Sequence, residues 1–208
     1  MLLHLLIMRF LSSSIKTRST RGFSILEVLI TAAIIGIITA VVVVRYSSFN
    51  NAVLLKSQAY EVALDIREAQ TFALSARGTG GDFREDFGLY FDTNNPGGYL
   101  LFRDGNDEAP AQYDDGEQVG VPYFIDSRFE IQKICVNACS TEIDNISITF
   151  KRPDFDALFA TSDTGFAGSI GDAHIVIENA LDPTVMQAVN VSPTGQISIE
   201  VGDPSGGS

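Results

Sequence analysis

Arg21-Gly22-Phe23-Ser24-Ile25-Leu26-Glu27-Val28-Leu29-Ile30 opens the stretch that decides the fold. From Phe23 the sequence stays apolar as far as Val44, and Arg45 closes the run. Those 22 residues form a helix of about 33 Å at ~1.5 Å per residue, enough to cross a hydrocarbon core of about 30 Å. Arg9, Lys16, Arg18 and Arg21 precede it, with no acid among residues 1–22, so the expected orientation is N-terminus cytoplasmic and C-terminal part exported. A plain secretory signal fits poorly, because its apolar part is shorter and ends in small residues at a cleavage site. A plain membrane anchor accounts for the length but not for Glu27. A carboxylate inside a spanning segment is costly and calls for a partner.

The segment Arg21–Ile30 resembles the prepilin cleavage and N-methylation motif of type IV pilins and type II secretion pseudopilins. The resemblance implies a cut by a prepilin peptidase between Gly22 and Phe23, with methylation of the new amine on Phe23. It also makes Glu27 the family's assembly glutamate, which neutralises the N-terminal charge of a neighbouring subunit. The chemistry is consistent with these roles. Gly22 lets a protease approach the backbone closely. An ion pair strengthens in an apolar setting, where either charge alone is expensive. The competing reading has Glu27 merely snorkelling to the membrane interface. Met1–Phe10 is apolar for a leader of this kind, and a start at Met8 leaves a shorter, more basic one.

Beyond Arg45 the pattern turns amphipathic. Val53, Leu54, Ala59, Val62, Ala63, Ile66, Ala69, Phe72 and Ala73 recur at three- and four-residue steps, with Lys56, Glu61, Asp65, Arg67 and Glu68 on the other side. The helix is expected to run to about Arg77 and stop at Gly78, Gly80 and Gly81, giving roughly fifty residues and about 75 Å. Seven strands are expected after it: Phe87–Phe91, Tyr99–Arg103, Phe129–Val136, Ile146–Lys151, Ala173–Glu178, Val185–Val191 and Gln196–Val201. Asn94–Gly98 reads as a turn, and Pro193-Thr194-Gly195 as a hairpin turn. The expected fold is therefore α+β, a long N-terminal α-helix packed against an antiparallel β-sheet head. The division is residues 1–22 leader, 23–44 spanning or filament-core helix, 45–77 amphipathic helix, 78–202 β-rich head, and 203–208 a flexible, fraying tail. Phe-Gly-Leu-Tyr-Phe, Tyr-Leu-Leu-Phe-Arg-Asp, Ile-Thr-Phe-Lys-Arg-Pro and Val-Ser-Pro-Thr-Gly-Gln-Ile-Ser-Ile follow one another in the order of the H-type minor pseudopilins and related minor pilins, which this part resembles.

The net charge is −12, and the four cations of the leader leave −16 on the rest. So acidic a head repels phosphate backbones and anionic lipid, which argues against nucleic acid as a partner. Cys135 and Cys139 are the only cysteines. In an exported head they are expected to form a small disulfide. The rival reading is a metal site, for which neither a second cysteine pair nor enough histidine exists. Asp104, Asn106, Asp107, Asp114 and Glu117 lie in an acidic, glycine-containing stretch that could bind structural calcium, although the spacing is not that of an EF-hand and a solvated turn is the favoured reading. No other cofactor is expected. His174 lies in an alternating strand, and neither a nucleophilic triad nor a phosphate loop is visible, so a non-enzymatic protein is expected. The resemblance implies a filament subunit, foremost a minor pseudopilin of a type II secretion system, with prepilin peptidase, other pilin or pseudopilin subunits, the inner-membrane assembly platform and the membrane itself as partners. It implies a single-pass inner-membrane protein with a periplasmic or extracellular head before assembly. The alternatives are a minor pilin of a surface pilus for adhesion, twitching or DNA uptake, and a membrane-anchored binding module that never assembles.

Overall fold

The computed structural model describes residues 22–75, 86–105, 111–151, 153 and 155–206. Two compact units are distinguished, Met1–Tyr46 and Ser47–Ser208. Helix α1 (Ile25–Leu74) contains no proline and one glycine, Gly36, so nothing breaks its hydrogen-bond ladder. It closes with the Ser75 N–H donating to Thr71 and Phe72 carbonyls. The glycines expected to stop it, Gly78, Gly80 and Gly81, lie outside the described residues.

Among the described residues the second unit holds ten strands: β1 (Asp86–Asp92), β2 (Gly98–Asp104), β3 (Tyr123–Phe124), β4 (Phe129–Val136), β5 (Thr141–Ile143), β6 (Asn145–Phe150), β7 (Ala157–Ala160), β8 (Ala173–Asn179), β9 (Asp182–Val191) and β10 (Ile197–Val201). They form two antiparallel sheets, in the orders β3-β2-β1-β6-β7 and β10-β9-β8-β4-β5. With the helix they make the expected α+β fold. All seven expected strands are present, with ends that differ from the expected ones by three residues or fewer. The Asn94–Gly98 turn joins β1 to β2, with Asp92 accepting from the Asn94 and Asn95 N–H groups. Pro193-Thr194-Gly195 joins β9 to β10.

One core takes side chains from the helix and from both sheets. Its helical part is Leu55, Ala59, Val62, Ala63, Ile66, Ala69 and Ala73, facing Leu89, Phe91, Ile146, Ile148, Ile134, Ile175 and Val189 among others. Here the structure corrects the expected stripe at its start. Val53 is half exposed, whereas Leu55 is wholly buried. Counting back from Ile66 in alternating three- and four-residue steps gives 62, 59 and 55; residue 53 falls two positions out of phase. Polar groups complete the docking. Gln70 Nε2 donates to the carbonyls of Phe155 and Gly195, linking the helix to the approach to β7 and to the β9–β10 turn. Gly195 has a positive φ of 73°, and a Cβ there would collide with the Phe155 carbonyl. Tyr99 donates from its hydroxyl to Asp65 at 2.6 Å. Burial raises the Asp65 carboxyl above its ordinary range, reinforced by the nearby Glu61 and Glu68 and opposed by the bond from Tyr99.

The outer face of the first sheet is covered by the segment following residue 110. Tyr113 packs on Tyr90 with tilted rings and meets Phe102 edge-on, the Tyr113 N–H donates to Ser147 Oγ, and Thr149 Oγ1 donates to the Ala111 carbonyl. The chain tail is likewise tied down. Lys133 Nζ, buried on β4, donates to Asp203 Oδ2 and Ser205 Oγ, each at 2.9 Å. Asp203 and Ser205, in the segment expected to fray, thus serve as the acceptors that a buried ammonium needs.

Candidate functional site

Ser24 caps the first turn of α1. Its hydroxyl accepts from the Leu26 N–H at 3.3 Å, and its carbonyl accepts from Glu27 and Val28. Ser24 is thus the N-cap, Ile25 the first helical residue and Glu27 the third. The Ser-x-x-Glu spacing is that of a capping box, a local signal the sequence reading passed over. It starts the helix at Ile25, so Gly22 and Phe23 are exposed and lie outside the helix, ahead of it. A protease acting between them meets backbone rather than helix. Around Gly22 no heavy atom lies within 4 Å of where a side chain would begin. Residues 1–21, including the basic leader, lie outside the described residues.

From Ile25 to Val43 the helix is apolar enough and long enough to cross a membrane, with a mean hydropathy of 2.6 and none of it buried within the protein. Thr31 returns its hydroxyl to the Val28 carbonyl at 3.0 Å, so its polar group is satisfied within the helix. Glu27 differs. It is exposed, and no described side chain pairs with its carboxylate. Its place in the first turn lets it face the positive end of the helix dipole. It is also one turn from the amine that cleavage would create on Phe23. Gly22, Phe23 and Glu27 therefore occupy a single exposed segment at the head of an uncovered apolar helix.

The remaining candidates lie in the second unit. Cys135 and Cys139 form a disulfide, with Cα atoms 4.7 Å apart. Asn137, Ala138 and Cys139 all have φ between 55° and 58°, a left-handed turn that non-glycine residues enter at a cost. Asp172 supports that turn by accepting from the Ala138 N–H through Oδ1, and its Oδ2 bonds His174 Nε2 at 2.8 Å. His174 is buried on β8, with Glu200 Oε2 3.8 Å from its Nδ1. Of the proposed calcium ligands, Asn106 and Asp107 lie outside the described residues. Asp104 accepts from the Ala111 N–H, and Glu117 accepts from the Asp114 and Gly105 N–H groups. These carboxylates serve as loop-internal acceptors. Among the described residues no three His, Cys, Asp or Glu side chains converge to hold a metal ion.

A family model, the prokaryotic N-terminal methylation motif, matches residues 17–43. The match begins in the basic N-terminal segment, crosses the Gly22–Phe23 bond and ends with the apolar stretch Ile25–Val43. No curated protein and no solved structure matches the chain. The chain thus carries the prepilin-type N-terminal methylation motif ahead of an apolar helix and an α+β head, the combination seen in type IV pilins and pseudopilins and one that supports that family for it.

Proposed function

We propose that the chain is a minor pseudopilin, a structural and non-enzymatic subunit of the short filament of a type II secretion system. In this reading prepilin peptidase cuts after Gly22 and methylates Phe23, and the membrane-anchored chain presents its head outside the cytoplasm. The assembly platform then draws α1 from the lipid into a bundle with sister subunits, where Glu27 meets the amine of a neighbour. The observation that carries it is the joining of the methylation motif to an apolar helix that no described residue buries. Covering such a helix is worth roughly 25 cal/mol per Å² of apolar area, so it resides in lipid or against other subunits. The preference for a secretion pseudopilus over a surface pilus rests on the H-type order of the head segments.

The test is to express the full chain with a prepilin peptidase and read its N-terminus by mass spectrometry. The expected product begins with N-methylated Phe23 and disappears in Gly22→Val. An intact leader sinks the filament reading and favours a membrane-anchored binding module. In the host, removing the chain should abolish export of folded proteins while leaving surface pili in place. Loss of pili with export intact would transfer it to a pilus.

A further inference from the structure

Three of the four sheet edges are short. Strands β3, β7 and β5 have two, four and three residues. Short edges are a common protection against pairing with foreign strands. The fourth edge, β10, has five residues, and its single charge, Glu200, is engaged by Asn190 Nδ2. The ladder fixes which way its backbone faces. Ser192 N–H donates to the Gln196 carbonyl and Gly202 N–H to the Met186 carbonyl. Hydrogen-bonded pairs alternate in an antiparallel ladder, so Ser198 and Glu200 face β9 while the backbone groups of Ile197, Ile199 and Val201 point outward. No other described residue takes those groups up.

Beside this edge runs a groove of about 330 Å³, lined by Tyr60, Leu64 and Arg67 of α1 and by Ile197 and Ile199 of β10. Leu64 is 63% exposed and Val201 84%. Arg67 is exposed, and no described carboxylate pairs with it, although the chain beyond residue 22 carries a net charge of −16. Lys56, 5.9 Å from the Tyr60 ring, adds a second cation on the same helix face. The geometry points to β10 and this groove as the docking site for an extended strand of a different pilin-type subunit, one that adds to the β10 edge and presents a carboxylate to Arg67. Main-chain bonds to Ile197, Ile199 and Val201 supply the pairing, the groove takes the partner's alternate apolar side chains, and Arg67 sets the register. A second copy of this chain is disfavoured, because two heads of this charge repel one another.

The inference rests on the filament reading, and the experiment separates the two. A photoreactive benzoylphenylalanine is placed at Leu64 or, separately, at Ile35 in the full chain within its assembling host system, and the cross-linked peptides are identified by mass spectrometry. The Leu64 probe is expected to capture a head strand of another subunit bearing its own methylation motif. Val201→Pro removes an outward N–H without touching the ladder to β9 and should cut the yield at least tenfold, whereas Val201→Thr should leave it unchanged. Arg67→Glu, on an exposed position, should cut it comparably and tests the site even if the proline variant misfolds. Capture of lipid, of a helical segment or of a second copy overturns the inference, as does a yield indifferent to both Val201→Pro and Arg67→Glu. If Ile35 captures sister subunits and Leu64 does not, this inference alone falls. If neither captures a subunit, the filament reading falls with it.

Discussion

Helix α1 carries two apolar surfaces of opposite fate. Over Ile25–Val43 every described side chain is exposed, whereas over Leu55–Ala73 one stripe is sealed against both sheets. The patterning explains the split. The first half is apolar all round, so no face of it is favoured for docking on a sheet. In the second half Lys56, Glu61, Asp65, Arg67 and Glu68 confine the apolar residues to one stripe. One half is completed by its own chain. The other is left uncovered by the described residues.

The largest expected effect tests that contrast directly. Ile66 is fully buried and Ile34 is exposed. Ile66→Ala should cost the head about 2–5 kcal/mol, the usual range for such a truncation in a packed core. Ile34→Ala should leave head stability within about 0.5 kcal/mol, as expected of a surface change. Denaturant unfolding of the full chain in detergent, followed by tyrosine fluorescence since tryptophan is absent, measures both. Equal losses would mean that the first half is part of the folding unit, and the contrast would fail.

The same contrast separates two carboxylates on one helix. Asp65 has its partner inside the chain, Tyr99, whereas Glu27 has none among the described residues. Tyr99→Phe should therefore cost about 1 kcal/mol, the typical net worth of a hydrogen bond, while Glu27→Gln leaves the head's unfolding curve unchanged and lowers only assembly. Asp65 also carries a pH signature. Its folded pKa is raised above the ordinary 3.8, chiefly by burial, so the folded head binds this proton more tightly than the unfolded chain. Its contribution is greatest below the ordinary value and is lost as pH rises through the raised one. Asp126 and Asp203, whose carboxyls are held below the ordinary range by their hydrogen bonds, slope the opposite way, whereas Glu178, raised by burial, slopes the same way. The check is therefore the difference between the native chain and Asp65→Asn, whose amide still accepts from Tyr99. The stability of Asp65→Asn relative to the native chain should rise from acid pH to neutrality. A flat difference would show that the Asp65 carboxyl is not perturbed by folding.

Legibility in the sequence followed the same division. The methylation motif and the uncovered helix were readable because they rest on a run of consecutive residues. The seven expected strands were readable because each spans enough residues to show alternation. The missed strands, Tyr123–Phe124, Thr141–Ile143 and Ala157–Ala160, are all sheet edges. Two to four residues cannot display a period, and their brevity is what keeps the edges from mispairing. Leu55 was missed and Val53 taken because the stripe's phase is fixed only by what it packs against. Lys133 with Asp203 and Ser205 had no local signal, since those partners are 70 and 72 residues apart. Ser24 did have one, in the Ser-x-x-Glu spacing.

The smallest expected effect is a gain, and it sharpens the contrast from the head's side. Ala138 is exposed with φ 55°, between two other left-handed residues. The disulfide from Cys135 to Cys139 and the bond from the Ala138 N–H to Asp172 hold the turn in that conformation, so the strain is borne in the folded state. Glycine enters the left-handed region without the Cβ penalty of about 1–2 kcal/mol per residue, although it loses more backbone freedom on folding, at roughly 0.5–1 kcal/mol. Ala138→Gly removes no buried side chain and keeps the N–H, so the net expectation is a stabilisation of about 0.5–1 kcal/mol, seen as a raised denaturation midpoint. Because the change touches only the head, cleavage after Gly22 and cross-linking through the exposed helix should be unaffected. A lowered midpoint would show that the turn is relaxed with alanine in place.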